Sequence, residues 1–322
     1  MQKITVGLML LVAALAFSTV ADAQDYPSKP IKVIVPYPPG GGMADRLARL
    51  VAEKFQGKWG QPVVVENRAG ASANIGAEYV AKATPDGYTL LYLETGPLVF
   101  NKSLFARLAY DPDAFVPVSV MVTSPNVLIV HPKVPAESLQ QLIAFARANP
   151  DRLDYASNGS GGAPHLTAEL FKSMAGIKIV HVPYKGVPPA LTDLLGGQVD
   201  MMFVGLGTVL QHVRAGKLRV LAVGSQKRQP GLPDVPAMSE VLPGFVSGGS
   251  FGMVAPPRTP PAIANKLSAA IAELLKQPDV EKQLLNLNLN VIGGTPADMA
   301  LFLRQERERW GKLIRAIGVT VD

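Results

Sequence analysis

The chain has 322 residues, 48% of them hydrophobic, which is enough for two ordinary domains with their own cores. It has no cysteine, so a small disulfide-stapled fold is excluded. The formal net charge of +6 comes from Lys and Arg spread along the chain without a basic run, which argues against a nucleic-acid partner.

At the N-terminus Lys3 precedes an apolar stretch, Ile4 to Phe17, and Ala21-Asp22-Ala23 puts small residues where a signal peptidase reads. The stretch is shorter than the ~20 residues of a spanning helix. Residues 1–23 therefore read as a secretory signal peptide cleaved near Ala23. Gln24 follows rather than Cys, so no lipid anchor is expected, and no membrane anchor of any other kind. Cleavage removes Lys3 and Asp22, one charge of each sign, and leaves the net charge at +6.

Short β-branched runs then alternate with helical spacing. Strands are expected at 31–35, 62–65 and 88–93, with helices at 43–58 and 74–83 between them. After a Pro-rich stretch a second series follows: strands at 127–130, 153–156, 177–182, 199–203 and 218–223, with helices at 139–148, 164–174, 188–195 and 209–215. From Leu232 the chain is turn-rich. It then offers a strand at 252–255 and helices at 261–277, 279–286 and 296–317. This is an α/β pattern of sheets flanked by helices. Three terminal helices with so few strands make no sheet of their own. The C-terminal part is expected to return to the first domain. The reading is lobe 1 from 24–124 and 226–322, with lobe 2 from 125–225 inserted and two crossovers joining them.

In a parallel sheet, ligands bind at the loops leaving the carboxyl ends of the strands. The first such loop is Pro36-Tyr37-Pro38-Pro39-Gly40-Gly41-Gly42-Met43-Ala44-Asp45. Bare backbone N–H groups and a helix N-terminus make an anion site. No Lys follows as in a phosphate loop, and Asp45 breaks the dinucleotide pattern. The second loop, Gly70-Ala71-Ser72-Ala73-Asn74, has small residues that admit a ligand to the backbone. It comes within one residue of the GxSxG nucleophile elbow. The last position is Asn, and no motif assigns His131, His165, His181 or His212 as a base, so a serine hydrolase is a remote alternative. For Arg68, just upstream, a surface ion pair and a pocket role both stand.

In the second series, Ser157-Asn158-Gly159-Ser160-Gly161-Gly162-Ala163-Pro164-His165 and Val182-Pro183-Tyr184-Lys185-Gly186 again lead from strand to helix. Tyr184 reads either as a pocket wall or as a packed aromatic, and His165 as a local hydrogen-bonding residue or a ligand contact. No His, Asp or Glu cluster has metal-ligand spacing, so neither a metal nor a cofactor is expected. Anion-ready loops in one domain facing glycine- and proline-shaped loops in the other suggest a cleft between them.

These loops, together with Tyr26-Pro27-Ser28-Lys29-Pro30, Gly60-Gln61-Pro62-Val63-Val64-Val65-Glu66-Asn67-Arg68, Pro85-Asp86-Gly87-Tyr88 and Leu194-Leu195-Gly196-Gly197-Gln198, closely resemble the Bug family of periplasmic receptors for tripartite tricarboxylate transporters. The resemblance implies a two-lobed periplasmic-binding-protein fold of type II topology. Each lobe would hold a mixed, mainly parallel sheet, and a two-segment hinge would join them. It implies a periplasmic monomer that captures a small organic acid anion and passes it to the membrane subunits of such a transporter; a receptor for a membrane sensor is the alternative. Carboxylate capture falls to Tyr37, Pro39, Gly40, Gly41, Gly42, Asp45, Gly70, Ala71, Ser72, Ala73 and Asn74. The opposite wall falls to Ser157, Asn158, Gly162, His165, Tyr184, Val204 and Gly205. The family often has glycines at the positions of Ser72 and Ala73, Thr or Ser at Gly162, and Asp-Asn at Val204-Gly205. Those departures remove polar groups from the second wall and point to an acid with a less polar body. Glu94-Thr95, ending the third strand, is unusual. A Glu94 that faces the cleft would repel a second carboxylate or attract an ammonium.

Overall fold

A computed structural model describes residues 26–40, 42–229 and 231–321. The signal-peptide stretch, its cleavage point and Gly41 lie outside the described residues.

Strand β1 (Ile31–Val35) buries four of its five residues, as a strand covered on both faces must. Helix α1 (Met43–Trp59) lays Leu47, Val51 and Phe55 on it and ends at Gly60 in the left-handed conformation. Fully burying each of those side chains contributes roughly 1.5–3 kcal/mol. β2 (Val63–Asn67), α2 (Asn74–Ala81) and β3 (Thr89–Glu94) follow, with β1 between β2 and β3 and parallel to both. Next comes α3 (Gly96–Leu104), a helix the sequence reading left out.

β4 (Val116–Val130) is 15 residues long, where only 127–130 was expected. Its prolines and polar residues read as a connection. The strand absorbs them through two register shifts, between Pro117 and Ser119 and between Val120 and Val122. Residues 116–125 pair with β9 (Gly248–Ala255), and Asn126–Val130 pair with β7 (Met201–Gly205). β4 thus belongs to two sheets. The first runs β2-β1-β3-β9-β4, with β10 (Asn290–Val291) also on β4. The second holds β8 (Arg219–Val223), β4, β7, β5 (Asp154–Ser157) and β6 (Val180–Pro183).

Helices α4 (Leu139–Ala148), α5 (Ala163–Ala175), α6 (Val187–Leu195) and α7 (Leu206–Arg214) connect the second sheet. After β9 come α8 (Pro261–Leu275), α9 (Pro278–Asn286) and α10 (Pro296–Ile317). Leu267, Ile271, Val280 and Leu284 fill the core below the first sheet, and Met299, Leu303, Trp310 and Ile314 the core above it. The turn-rich stretch behaves differently. Met238, Leu242 and Phe245 pack into the core of the second sheet, so the chain stays there past residue 226 and crosses back near Ser247. At that crossing Gly224 N–H donates to the Asn126 carbonyl at 2.7 Å and Ser247 N–H to the Gly224 carbonyl at 2.8 Å. Among the described residues no helix is long and apolar enough to cross a membrane.

Candidate functional site

A cavity of about 1220 Å³ lies between the two sheets. Its wall is drawn from the carboxyl ends of strands on both sides: Gly40 and Gly42 after β1, Glu94 at the end of β3, Asn158 after β5, and Val204 and Gly205 of β7. Four helices open on it. α1, α5, α6 and α7 have N-caps at Gly42, Gly162, Gly186 and Gly205, and none has a side-chain capping hydrogen bond. Met43, Ala163, Val187 and Gly207, in their first turns, line the cavity. Glycine leaves first-turn N–H groups for an outside acceptor, where Ser138 and Thr295 satisfy them on α4 and α10.

The first loop holds its shape from within. Gly40 and Gly42 have φ of 67° and 109°, and Gly42 N–H donates to the Gly40 carbonyl at 2.9 Å. Asp45 is 2% exposed and does not line the cavity. Its carboxylate accepts from Gly40 N–H at 3.0 Å, from Asn67 Nδ2 at 2.7 Å and from both Nε and Nη2 of Arg49. Burial raises the Asp45 pKa, and these donors together outweigh that and hold it below the usual carboxylate range. Asp45 therefore braces the loop and consumes one N–H that the sequence reading offered to the ligand. Tyr37 borders the cavity and Pro39 does not.

The second loop turns through Ala71, Ser72 and Ala73, three successive non-glycine residues with positive φ. Asn101 Nδ2 on α3 holds the Ser72 carbonyl at 3.1 Å and Asn74 Oδ1 at 2.7 Å. Of Gly70, Ala71, Ser72, Ala73 and Asn74, none lines that cavity and Ser72 alone lines a smaller one beside it, of about 240 Å³. That space shares Tyr37, Glu94, Asn158 and Ala163 with the larger one. Its apolar wall is Pro97, Phe100, Leu104 and Phe105, none of which the sequence reading named. The signal for it was present, because Gly96-Pro97 after a strand suits the first turn of a helix.

Glu94 faces both cavities. Burial pushes its carboxyl up to about 7. Burial, and then the nearby Glu94 charge, push the Tyr37 hydroxyl well above its ordinary value. Thr95 is buried behind it, with its N–H donating to the Ser250 carbonyl.

On the opposite wall, a side chain at Gly162 would put its Cβ 2.5 Å from Asn158 Oδ1, so Asn158 takes the space a Ser or Thr would need. Ser157 and His165 lie behind the loop, both buried. Ser157 Oγ is 2.7 Å from His181 Nε2, and His165 Nδ1 accepts from Gly161 N–H at 3.0 Å. The His165 and His181 rings stack at 4.1 Å. Burial lowers the pKa of both, His181 to about 4, to which His165 adds. Tyr184 donates to Asp193 Oδ2 at 2.7 Å and is not on the cavity. Arg68 likewise stays outside, paired with Glu66 at 2.5 Å and 3.7 Å over the Tyr79 ring.

Two sheets sharing one strand, with a loop-lined cleft between them, define the class of periplasmic binding proteins, which take a small solute between lobes. Protein BugT of Bordetella pertussis is 39% identical over 316 residues, covering 97% of this chain and 96% of that protein. The solved structure of R. palustris Rpa4515 with adipate is 36% identical with a TM-score of 0.80, covering 92% of this chain and 99% of that one. MatC (Rpa3494) from Rhodopseudomonas palustris with bound malate is 33% identical with a TM-score of 0.76, covering 90% of this chain and 100% of that one. The family model TctC, tripartite tricarboxylate transporter family receptor, matches residues 47–319. The chain belongs to this tripartite tricarboxylate transporter receptor family.

Proposed function

We propose that the chain is exported, loses its signal peptide near Ala23, and works in the periplasm as a monomeric receptor for a small carboxylate-bearing organic acid. It closes on the acid and delivers it to the membrane subunits of a tripartite tricarboxylate-type transporter, without catalysing a reaction on it. Lobe 1 is 26–124 with the segment after Ser247, and lobe 2 is the chain between. The observation that carries this reading is the convergence of four helix N-termini, each with a glycine N-cap and no side-chain cap, on one interlobe cavity. Each such end favours an anion by about 0.3–1 kcal/mol, up to ~2 when partly buried. Each charged hydrogen bond adds roughly 1.5–3 kcal/mol. A few of these offset the cost of immobilising a small ligand and reach the ~8 kcal/mol of micromolar affinity. The apolar wall at Pro97, Phe100, Leu104 and Phe105 supports an acid with a less polar body. Lobe closure follows because the second wall contacts the ligand only when shut.

Titration calorimetry on the mature chain, comparing aliphatic and aromatic acids with their methyl esters, checks the reading. Acids in the panel bind with micromolar Kd, and esterification weakens them at least 100-fold. Esters that bind as well as the acids would overturn carboxylate capture.

A further inference from the structure

We infer that Glu94 selects the ligand: the acid this cleft takes carries a nitrogen cation, such as an ammonium, away from its captured carboxylate, rather than a second carboxylate. This rests on the carboxylate-capture reading and names the ligand class within it.

Glu94 stands where β3 ends and borders both cavities. From the described residues no hydrogen bond or ion pair reaches its carboxylate, and burial is the one cause acting on its proton. Room for the side chain comes from Gly249 of β9, where a Cβ would lie 2.9 Å from Glu94 Oε1. Across from it stand neutral groups, among them Ser72, Asn101 and Asn158, and the apolar face of α3. The other titratable or charged side chains on the two cavities, among the described residues, are Tyr37 beside Glu94 and Arg46 and Arg214, both exposed on the larger cavity. Among the described residues that line the smaller cavity, Glu94 is the one carboxyl and none is a cation.

A half-buried acid that no donor from the described residues reaches is an unfinished site. A ligand ammonium supplies the missing charge and donors together, whereas a second carboxylate adds like charge where no cation relieves it. The same geometry predicts proton movement. The empty site is about half protonated near pH 7, so a bound cation expels that proton and a bound anion draws one in.

The test uses matched acids on the full mature chain: hexanoate, 6-aminohexanoate and adipate, with 4-methylbenzoate, 4-(aminomethyl)benzoate and terephthalate as the aromatic set. Calorimetry at pH 7 in two buffers of different ionisation enthalpy reads affinity and proton count together. The expected result in the set that binds is an ammonium member at least ten-fold tighter than the dicarboxylate, with release of about 0.5 proton. Glu94→Gln, checked for retained thermal unfolding, brings the pair within about three-fold and abolishes the proton release. Proton release is read on the unaltered protein, so a misfolded variant does not remove the test. If the plain acid binds but the dicarboxylate equals or beats the ammonium member, or protons are taken up, the Glu94 inference is wrong and carboxylate capture stands. If no acid in either set binds, capture itself falls, and this inference with it.

Discussion

Ala71, Ser72 and Ala73 have φ of 47°, 53° and 73°, where a Cβ meets the carbonyl oxygen and costs about 1–2 kcal/mol per residue. Such strain persists only where neighbours over-determine it, and here Asn101 grips the turn from α3. Replacing Ser72 and Ala73 together by glycine relieves two such positions and returns roughly 0.4–1 kcal/mol each as unfolded-chain entropy. The double variant is therefore expected to gain about 1 kcal/mol, read as a rise of about 2 °C in Tm. A fall in Tm would show the turn to be unstrained. Asp45 makes the complementary point. Its sequence position beside a glycine loop suggests ligand contact, yet its partners are Gly40, Asn67 and Arg49. Residue type and spacing cannot separate a group that binds the ligand from one that shapes the loop that does.

Among elements, the crossing at Asn126, Gly224 and Ser247 is the least forgiving. A Cβ on Gly224 would lie 2.5 Å from the Ser247 carbonyl oxygen and 3.2 Å from that of Asn126, and neither backbone can yield as a side chain does. Gly224→Ala is expected to cost about 1–3 kcal/mol by overpacking. It should also weaken binding of the panel's best acid, because the proposed lobe closure would bend the chain here. Unchanged urea midpoint and unchanged affinity would remove this crossing from the hinge. β4 shows why the full length of the shared strand was hard to read. A strand that serves two sheets carries prolines and register shifts that local pattern reads as a connection. α3 escaped although its Gly96-Pro97 start suits the first turn of a helix.

Across the whole molecule, two half-buried groups act on stability with opposite signs. His181 is held near 4 by burial first and by His165 second, against about 6.5 in an unfolded chain. Its contribution is full above about 6.5 and is lost as pH falls towards 4, because the unfolded chain then binds the extra proton. Glu94, raised to about 7, contributes fully below its unfolded value near 4.5 and loses that as pH rises through 7. The slopes partly cancel in the unaltered protein, and single variants separate them. Relative to wild type, His181→Gln should lose its stability deficit as pH drops from 6.5 to 4. Glu94→Gln should gain in Tm, by the equivalent of about 1–2 kcal/mol, as pH rises from 4.5 to 8. Parallel Tm curves for all three proteins would show that neither group is perturbed.

The linear chain by itself determined the order of most strands and helices, α3 and β10 excepted, and the glycine corners at Gly40 and Gly42 and from Gly159 to Gly162. Those features are local or periodic, and backbone sterics and apolar spacing write them into short windows of residues. Only the tertiary structure decided that four glycine-capped helix ends, at Gly42, Gly162, Gly186 and Gly205, open on one cavity. It also turned Asp45 inward and Glu94 into the cleft, and brought α3 in as the apolar wall. Burial and partner choice depend on residues far apart in sequence, so the same kind of carboxylate becomes a brace in one place and, among the described residues, an acid without a partner in the other.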